Sequence, residues 1–141
     1  MSKSNAMETA LLKLVFQAVS WSNVARTAGT PITSIRVSLH TADPGEAGTQ
    51  ATSEAAYGAY VRVSVARATT GWAVAAGVAN PAANISFAQA TSGTETITHF
   101  GIGTATSGAG ELLYSGVVTP NVAVASGVTP ILTTSSTITE S

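Results

Sequence analysis

The 141-residue chain contains no cysteine, which excludes a disulfide framework, a thiolate metal site and a cysteine nucleophile. Charge is scarce: Asp, Glu, Lys and Arg make up 9% of the residues, against roughly 25% in an average soluble protein. Six Lys and Arg against seven Asp and Glu leave a formal net charge of -1. So little positive charge gives no counterion-driven binding to nucleic acid or to an acidic membrane, and neither partner is expected. Long apolar runs are missing as well. The longest, residues 11–19, is interrupted by Lys13 and Gln17 and falls short of the roughly 20 residues that cross a bilayer. Lys13 inside that run also breaks the order of a signal peptide, so synthesis and use in a cytoplasm are expected.

The same scarcity limits the chemistry. A serine hydrolase needs a nucleophile at a strained turn, a histidine beside it and an acid behind the histidine. Only His40 and His99 are present, with no Gly-x-Ser-x-Gly elbow, and both lie in alternating segments where a histidine reads as structural. Two histidines on separate strands and the lone Asp43 give no metal-ligand spacing. Asp43, Glu46 and Glu54 cluster in sequence, but within one polar loop, where they read as solvated charges and not as an acid/base pair. Gly101, Gly103, Gly108 and Gly110 resemble a phosphate cradle only superficially, because no helix follows and no lysine is near. The expectation is a protein that is not an enzyme and carries no cofactor and no metal.

What is present is periodic structure. Residues 5–19 predict one helix, with Asn5 and Glu8 in a capping-box arrangement. Met7, Leu11, Leu14, Val15 and Ala18 share a face, and Leu12, Phe16 and Val19 widen the apolar arc beyond one stripe. Such a helix needs cover on two sides, from its own sheet and loops or from a neighbouring subunit. From residue 33 the period becomes two: Ile35, Val37 and Leu39 alternate with Arg36, Ser38 and His40, and Val61, Val63 and Val65 with Arg62, Ser64 and Ala66. Further strands are expected at 72–76, 85–88, 96–103, 111–118, 121–125, 129–133 and 137–139, separated by turns at Thr70-Gly71, Asn80-Pro81, Ser92-Gly93, Ser107-Gly108, Thr119-Pro120 and Ser126-Gly127. Short strands at 8- to 12-residue intervals predict an all-β fold, a jelly-roll-like antiparallel β-sandwich with one N-terminal α-helix. The whole chain, 1–141, reads as a single domain, with a helical arm at 1–20 and the sandwich at 33–141. No repeat of fixed period is found.

One stretch, residues 41–59, has no clear period. Loops longer than about 12–15 residues in a small domain bind something or are clamped by something. This loop, with Asp43, Glu46 and Glu54, and the helix, with Leu12 and Phe16, are therefore the expected contact regions. Arg62 and Arg67 flank the most regular strand and suit either interface anchoring or edge protection. A contact with so few charges should be mainly apolar and hydrogen-bonded, and insensitive to salt.

Three blocks carry a family resemblance. They are Met1-Ser2-Lys3-Ser4-Asn5-Ala6 with Glu8-Thr9-Ala10-Leu11-Leu12; Val37-Ser38-Leu39-His40-Thr41-Ala42-Asp43-Pro44-Gly45-Glu46-Ala47-Gly48 running on to Tyr60-Val61-Arg62-Val63; and His99-Phe100-Gly101-Ile102-Gly103 with Ser107-Gly108-Ala109-Gly110 and Leu113-Tyr114-Ser115-Gly116. Together they resemble a family of small virion proteins of tailed bacteriophages, often labelled tail-fibre-like. Proteins of this size and class are also similar to the capsid cement, or decoration, proteins of short-tailed phages. The resemblance implies a structural protein made in the host cytoplasm and bound to the outer capsid surface of the virion, where it cements neighbouring copies of the major capsid protein. A tail or fibre component that recognises a host surface is the alternative, for which exposed Trp21, Tyr57, Tyr60 or Trp72 would supply a sugar-stacking surface. A homo-oligomer is expected, a dimer or alternatively a trimer.

Overall fold

The computed structural model describes residues 5–20 and 32–139. Helix α1 (Asn5–Gln17) precedes β1 (Ser34–His40), β2 (Val63–Ala66), β3 (Trp72–Ala75), β4 (Val78–Pro81), β5 (Ile85–Ser86), β6 (Glu95–Gly103), β7 (Leu112–Val124), β8 (Ile131–Leu132) and β9 (Ile138–Thr139). The sheets have the orders β2-β1-β6-β7, β3-β4-β9 and β5-β8, with antiparallel registers for β1–β6, β6–β7, β3–β4 and β4–β9. The described residues are thus all-β with one N-terminal helix, consistent with the antiparallel sandwich class expected from the periodicity. The chain forms two compact units, each drawn from separated stretches: Met1–Ser34, Val65–Ile85 and Leu132–Ser141 in the first, Ile35–Ser64 and Ser86–Ile131 in the second.

In the first unit α1 packs on the β3–β4 hairpin. Leu12 and Phe16, one helical turn apart, are fully buried, and the Phe16 ring meets Trp72 with centroids 4.6 Å apart. Leu11, Leu14 and Val15, expected to form the packed stripe, are only half-buried. A wide apolar arc does not reveal its own centre, and the aromatic contact at Phe16 sets it. The helix ends at Gln17, not at 19: Ala18 turns into the left-handed region at φ 55°, and the Val19 N–H reaches back to the Lys13 carbonyl at 3.2 Å. The last turn holds no basic residue of its own. Arg67 supplies the charge instead, donating from Nε to the Val15 carbonyl at 2.6 Å and from Nη2 to the Leu14 carbonyl at 2.7 Å. These are orphan carbonyls at the negative end of the helix dipole. A third bond, from Nη1 to the Ile32 carbonyl at 2.7 Å, holds the chain leading into β1.

The hairpin turn Ala76-Gly77 has positive φ at both residues, 51° and 75°, the conformation that matches strand twist in a two-residue turn. Asn80-Pro81, expected as a turn, lies in β4 instead. Trp72 pairs with Pro81, and the Ala82 N–H donates to the Gly71 carbonyl, which makes Trp72 and Pro81 a non-hydrogen-bonded pair. Pro81 therefore lacks an N–H that β3 does not require, and β9 reaches only Val78 and Ala79.

In the second unit the core is built from Ile35, Val37, Leu39, Tyr57, Phe87, Ile97, Phe100, Ile102 and Val124. The alternation in β1 does not become alternating burial: Ser38 and His40 are as fully enclosed as Val37. Gly101 explains how, since a Cβ there would come within 2.6 Å of both His40 Nε2 and Ser38 Oγ. The two strands expected at 111–118 and 121–125 are one strand, β7, which passes through Pro120 with a register shift against β6 between Ile97 and His99.

Candidate functional site

The polar residues of the second unit gather into a buried network. Glu54 lies antiparallel to the end of β1 in an isolated bridge with His40. Its carboxylate accepts two bonds from Arg62, Nε to Oε1 at 2.6 Å and Nη2 to Oε2 at 2.7 Å, and a third from the Tyr60 hydroxyl at 3.0 Å. Arg62 also donates to the carbonyls of Ala105 at 2.9 Å and Gly108 at 2.6 Å, tying the β6–β7 connection to the long loop. The Glu54 hydrogen bonds hold the guanidinium pKa above its ordinary value. Burial, with Glu54 adding to it, raises the Tyr60 hydroxyl far above the usual phenol range. Gln50, fully enclosed, accepts the Ala105 N–H at 2.9 Å.

Ser38 and His40, two residues apart on one face of β1, meet at 2.9 Å. His40 Nδ1 lies 2.8 Å from the Thr52 carbonyl; a carbonyl only accepts, so Nδ1 carries the proton and Nε2 accepts from the serine hydroxyl. Burial pulls the His40 pKa below 6.5, opposed by Thr52 and Glu54, so the ring is neutral near pH 7. A nucleophile and base are thus in contact, but both residues have no exposed surface and a backbone carbonyl stands where an orienting acid would be. The pair fastens the 49–55 segment to β1.

The long loop divides in two. Its second part is clamped: the Ala55 N–H donates to the Leu39 carbonyl, the Gln50 N–H to the Ala109 carbonyl, and the Glu95 carboxylate accepts the N–H groups of Ala56 and Tyr57. Its first part is exposed. Asp43 Oδ1 accepts the Gly45 N–H at 2.9 Å in a tight turn, and Asp43, Gly45 and Glu46 border a groove of about 480 Å³ whose other lining is residues 112–115 of β7.

Of the residues singled out in the sequence, Asp43 and Glu46 lie together at this groove, while Glu54 and Arg62 meet as a mostly buried ion pair. Arg67 is committed to the helix end. The expectation that Leu12 and Phe16 face a partner is corrected: both are enclosed by their own unit, because the hairpin covers that side of the helix. Tyr57 and Trp72 are buried, and Tyr60 stacks on Phe87 behind the ion pair, so these three form no sugar platform; Trp21 lies outside the described residues. The groove wall at 112–115 and the Glu95 clamp carry no signal in the sequence beyond strand periodicity. Among the described residues no group of three or more potential metal ligands is gathered, and no helix is long and apolar enough to cross a membrane.

A protein-family model described as podophage GP4 fiber I protein gp80 matches residues 2–139. A search of curated proteins gives no match.

Proposed function

We propose, on the premise that the chain belongs to the podophage GP4 fiber I protein gp80 family, that it is a non-enzymatic building block of a phage tail fibre. Membership makes it a structural protein of a bacteriophage virion. The observation that carries the fibre reading is the extent of the match, which runs through both compact units. The fold supports it: the conspicuous polar groups are spent internally, in the Glu54–Arg62–Tyr60 network and the enclosed Ser38–His40 pair. The sequence has no repeat of fixed period, so the fibre reading gives it the role of a connecting unit and not of a shaft.

Cementing of major capsid subunits is the second reading. It is favoured by β7, a partly exposed strand without charge that suits a capsid seam as well as a fibre joint. The helix face that would have served a seam is buried. Labelling intact virions with a gold-conjugated antibody against this chain separates the two: label on the tail appendages is expected, and label confined to the head would overturn the fibre reading.

A further inference from the structure

The 49–55 segment lies against the end of β1 and is tied down along its length. The Gln50 N–H donates to the Ala109 carbonyl, the Ser53 carbonyl accepts from the Thr41 N–H, and the Ala55 N–H donates to the Leu39 carbonyl. Between these ties Ser53 has φ 52°, in the left-handed region that a residue with a side chain disfavours. Such a conformation persists only while its surroundings hold it, so the segment stores strain that leaving β1 relieves.

Under this segment His40 has no exposed surface. Both ring nitrogens are satisfied in the neutral form, Nδ1 donating to the Thr52 carbonyl and Nε2 accepting from the Ser38 hydroxyl. A proton at Nε2 would require that hydroxyl to stop donating, and it would add a cation where the Glu54 carboxylate is already taken by Arg62 and Tyr60. Burial lowers the ring's proton affinity most; Thr52 and Glu54 oppose that effect, and Arg62 and His99 add to it. The opposite side has no slack, since a Cβ at Gly101 would lie 2.6 Å from both Nε2 and the Ser38 oxygen. Ser38, His40 and Gly101 are locked in the β1–β6 ladder, which leaves 49–55 as the cover that can move.

We propose that residues 49–55 form an acid-released latch: when the segment lifts, His40 takes up a proton, and the charged ring opposes reclosure while the β1–β6–β7 sheet stays formed. The consequence reaches the surface. Glu54 leaves with the segment and releases Arg62, whose other bonds, to the Ala105 and Gly108 carbonyls, fix the β6–β7 connection; Gln50 leaves the Ala105 N–H. Residues 106–111 of that connection are exposed, so acid frees a surface loop that neutral pH holds in place. The closed state is fully favoured above the ring's ordinary value of 6.5 and loses its advantage as pH falls below it. The latch is independent of whether the chain sits in fibre or capsid.

Amide exchange of the full chain, followed by NMR at about pH 7.5 and about pH 5.5 and corrected for the intrinsic effect of pH on exchange, reads the latch. The amides of Thr41, Gln50, Ala55 and Ala105 have their acceptors across it. They should exchange faster than those of Phe100 and Ile102 in β6 at both pH values, respond less to low urea because a local opening exposes little surface, and open up to about tenfold more often in acid. His40→Gln, which keeps a donor for the Thr52 carbonyl, should abolish the acid effect, and His99→Gln should retain it. Protection and urea dependence equal to those of β6 would make the opening global and overturn the proposal. So would an acid effect that is absent from the parent, that survives His40→Gln or that is lost in His99→Gln. If His40→Gln fails to fold, the ring-proton titration of the parent decides: a His40 midpoint below 6.5 supports the latch, and one at or above it overturns it.

Discussion

Removing Glu54 should destabilise the second unit more than its place in a polar loop suggests. Glu54→Ala deletes both Arg62 contacts and the Tyr60 contact, and leaves a guanidinium whose side chain is 2% exposed with two backbone carbonyls as its remaining partners. Breaking a buried pair from one side costs about 3–5 kcal/mol. Glu54 is itself 18% exposed, so water re-enters and the lower end, about 3 kcal/mol, is expected. For a chain of this size that lowers Tm by about 10 °C. The double variant Glu54→Leu, Arg62→Met removes both charges and should lose less than Glu54→Ala, with a coupling energy on the order of 2 kcal/mol from the full cycle. Circular dichroism melts and urea titrations of the parent, Glu54→Leu, Arg62→Met, the double variant and, for comparison, Glu54→Ala measure it. A Tm for Glu54→Ala within about 1 °C of the parent, or an additive cycle, would refute the reasoning.

Gly101→Ala should destabilise by about 1–3 kcal/mol, read as a lower urea midpoint, because its methyl meets the enclosed Ser38 and His40 at 2.6 Å. Phe16→Asp should unfold the first unit, seen as lost near-ultraviolet dichroism from Trp72; a folded variant would mean that the ring does not anchor the helix. His40 titrates below its unfolded value of 6.5 in the folded chain, so the unfolded state binds the proton more readily and stability is full above pH 6.5 and declines as pH falls below it. The charges of Glu54, Arg62 and His99 modulate the shift, and His40→Gln should flatten the stability profile between pH 6.5 and more acid values. Ala76→Asn should stabilise by about 0.5–1 kcal/mol, since residue 76 holds φ 51° in the hairpin turn and asparagine tolerates that region better than alanine; an unchanged or lower urea midpoint would contradict it.

The sequence made the fold class legible because period-two alternation and glycine-containing turns are local signals. It misplaced features set by distant partners. Pro81 belongs to a strand because its pairing with Trp72 demands no N–H, and Thr119-Pro120 lies within β7 because the register shift absorbs it. The full burial of His40 was not legible, because nothing local shows that Gly101 leaves room above it. For the site, the long loop and its acids were visible, and Asp43 and Glu46 do border the groove. That Glu54 would find Arg62, and that Arg67 would cap the helix 52 residues before it, follows only from the folded chain. The facing wall at 112–115 was equally hidden, since its alternating residues resemble those of any half-buried strand.

Membership in a fibre protein family and the commitment of polar side chains to internal contacts both support the proposal that this chain joins neighbouring proteins within a tail fibre. Imaging the assembled virion at residue resolution tests it most directly. The expected result is this fold in a tail appendage, in contact with neighbouring chains. Density for it only over capsid subunit seams, and none in the tail, would contradict the claim.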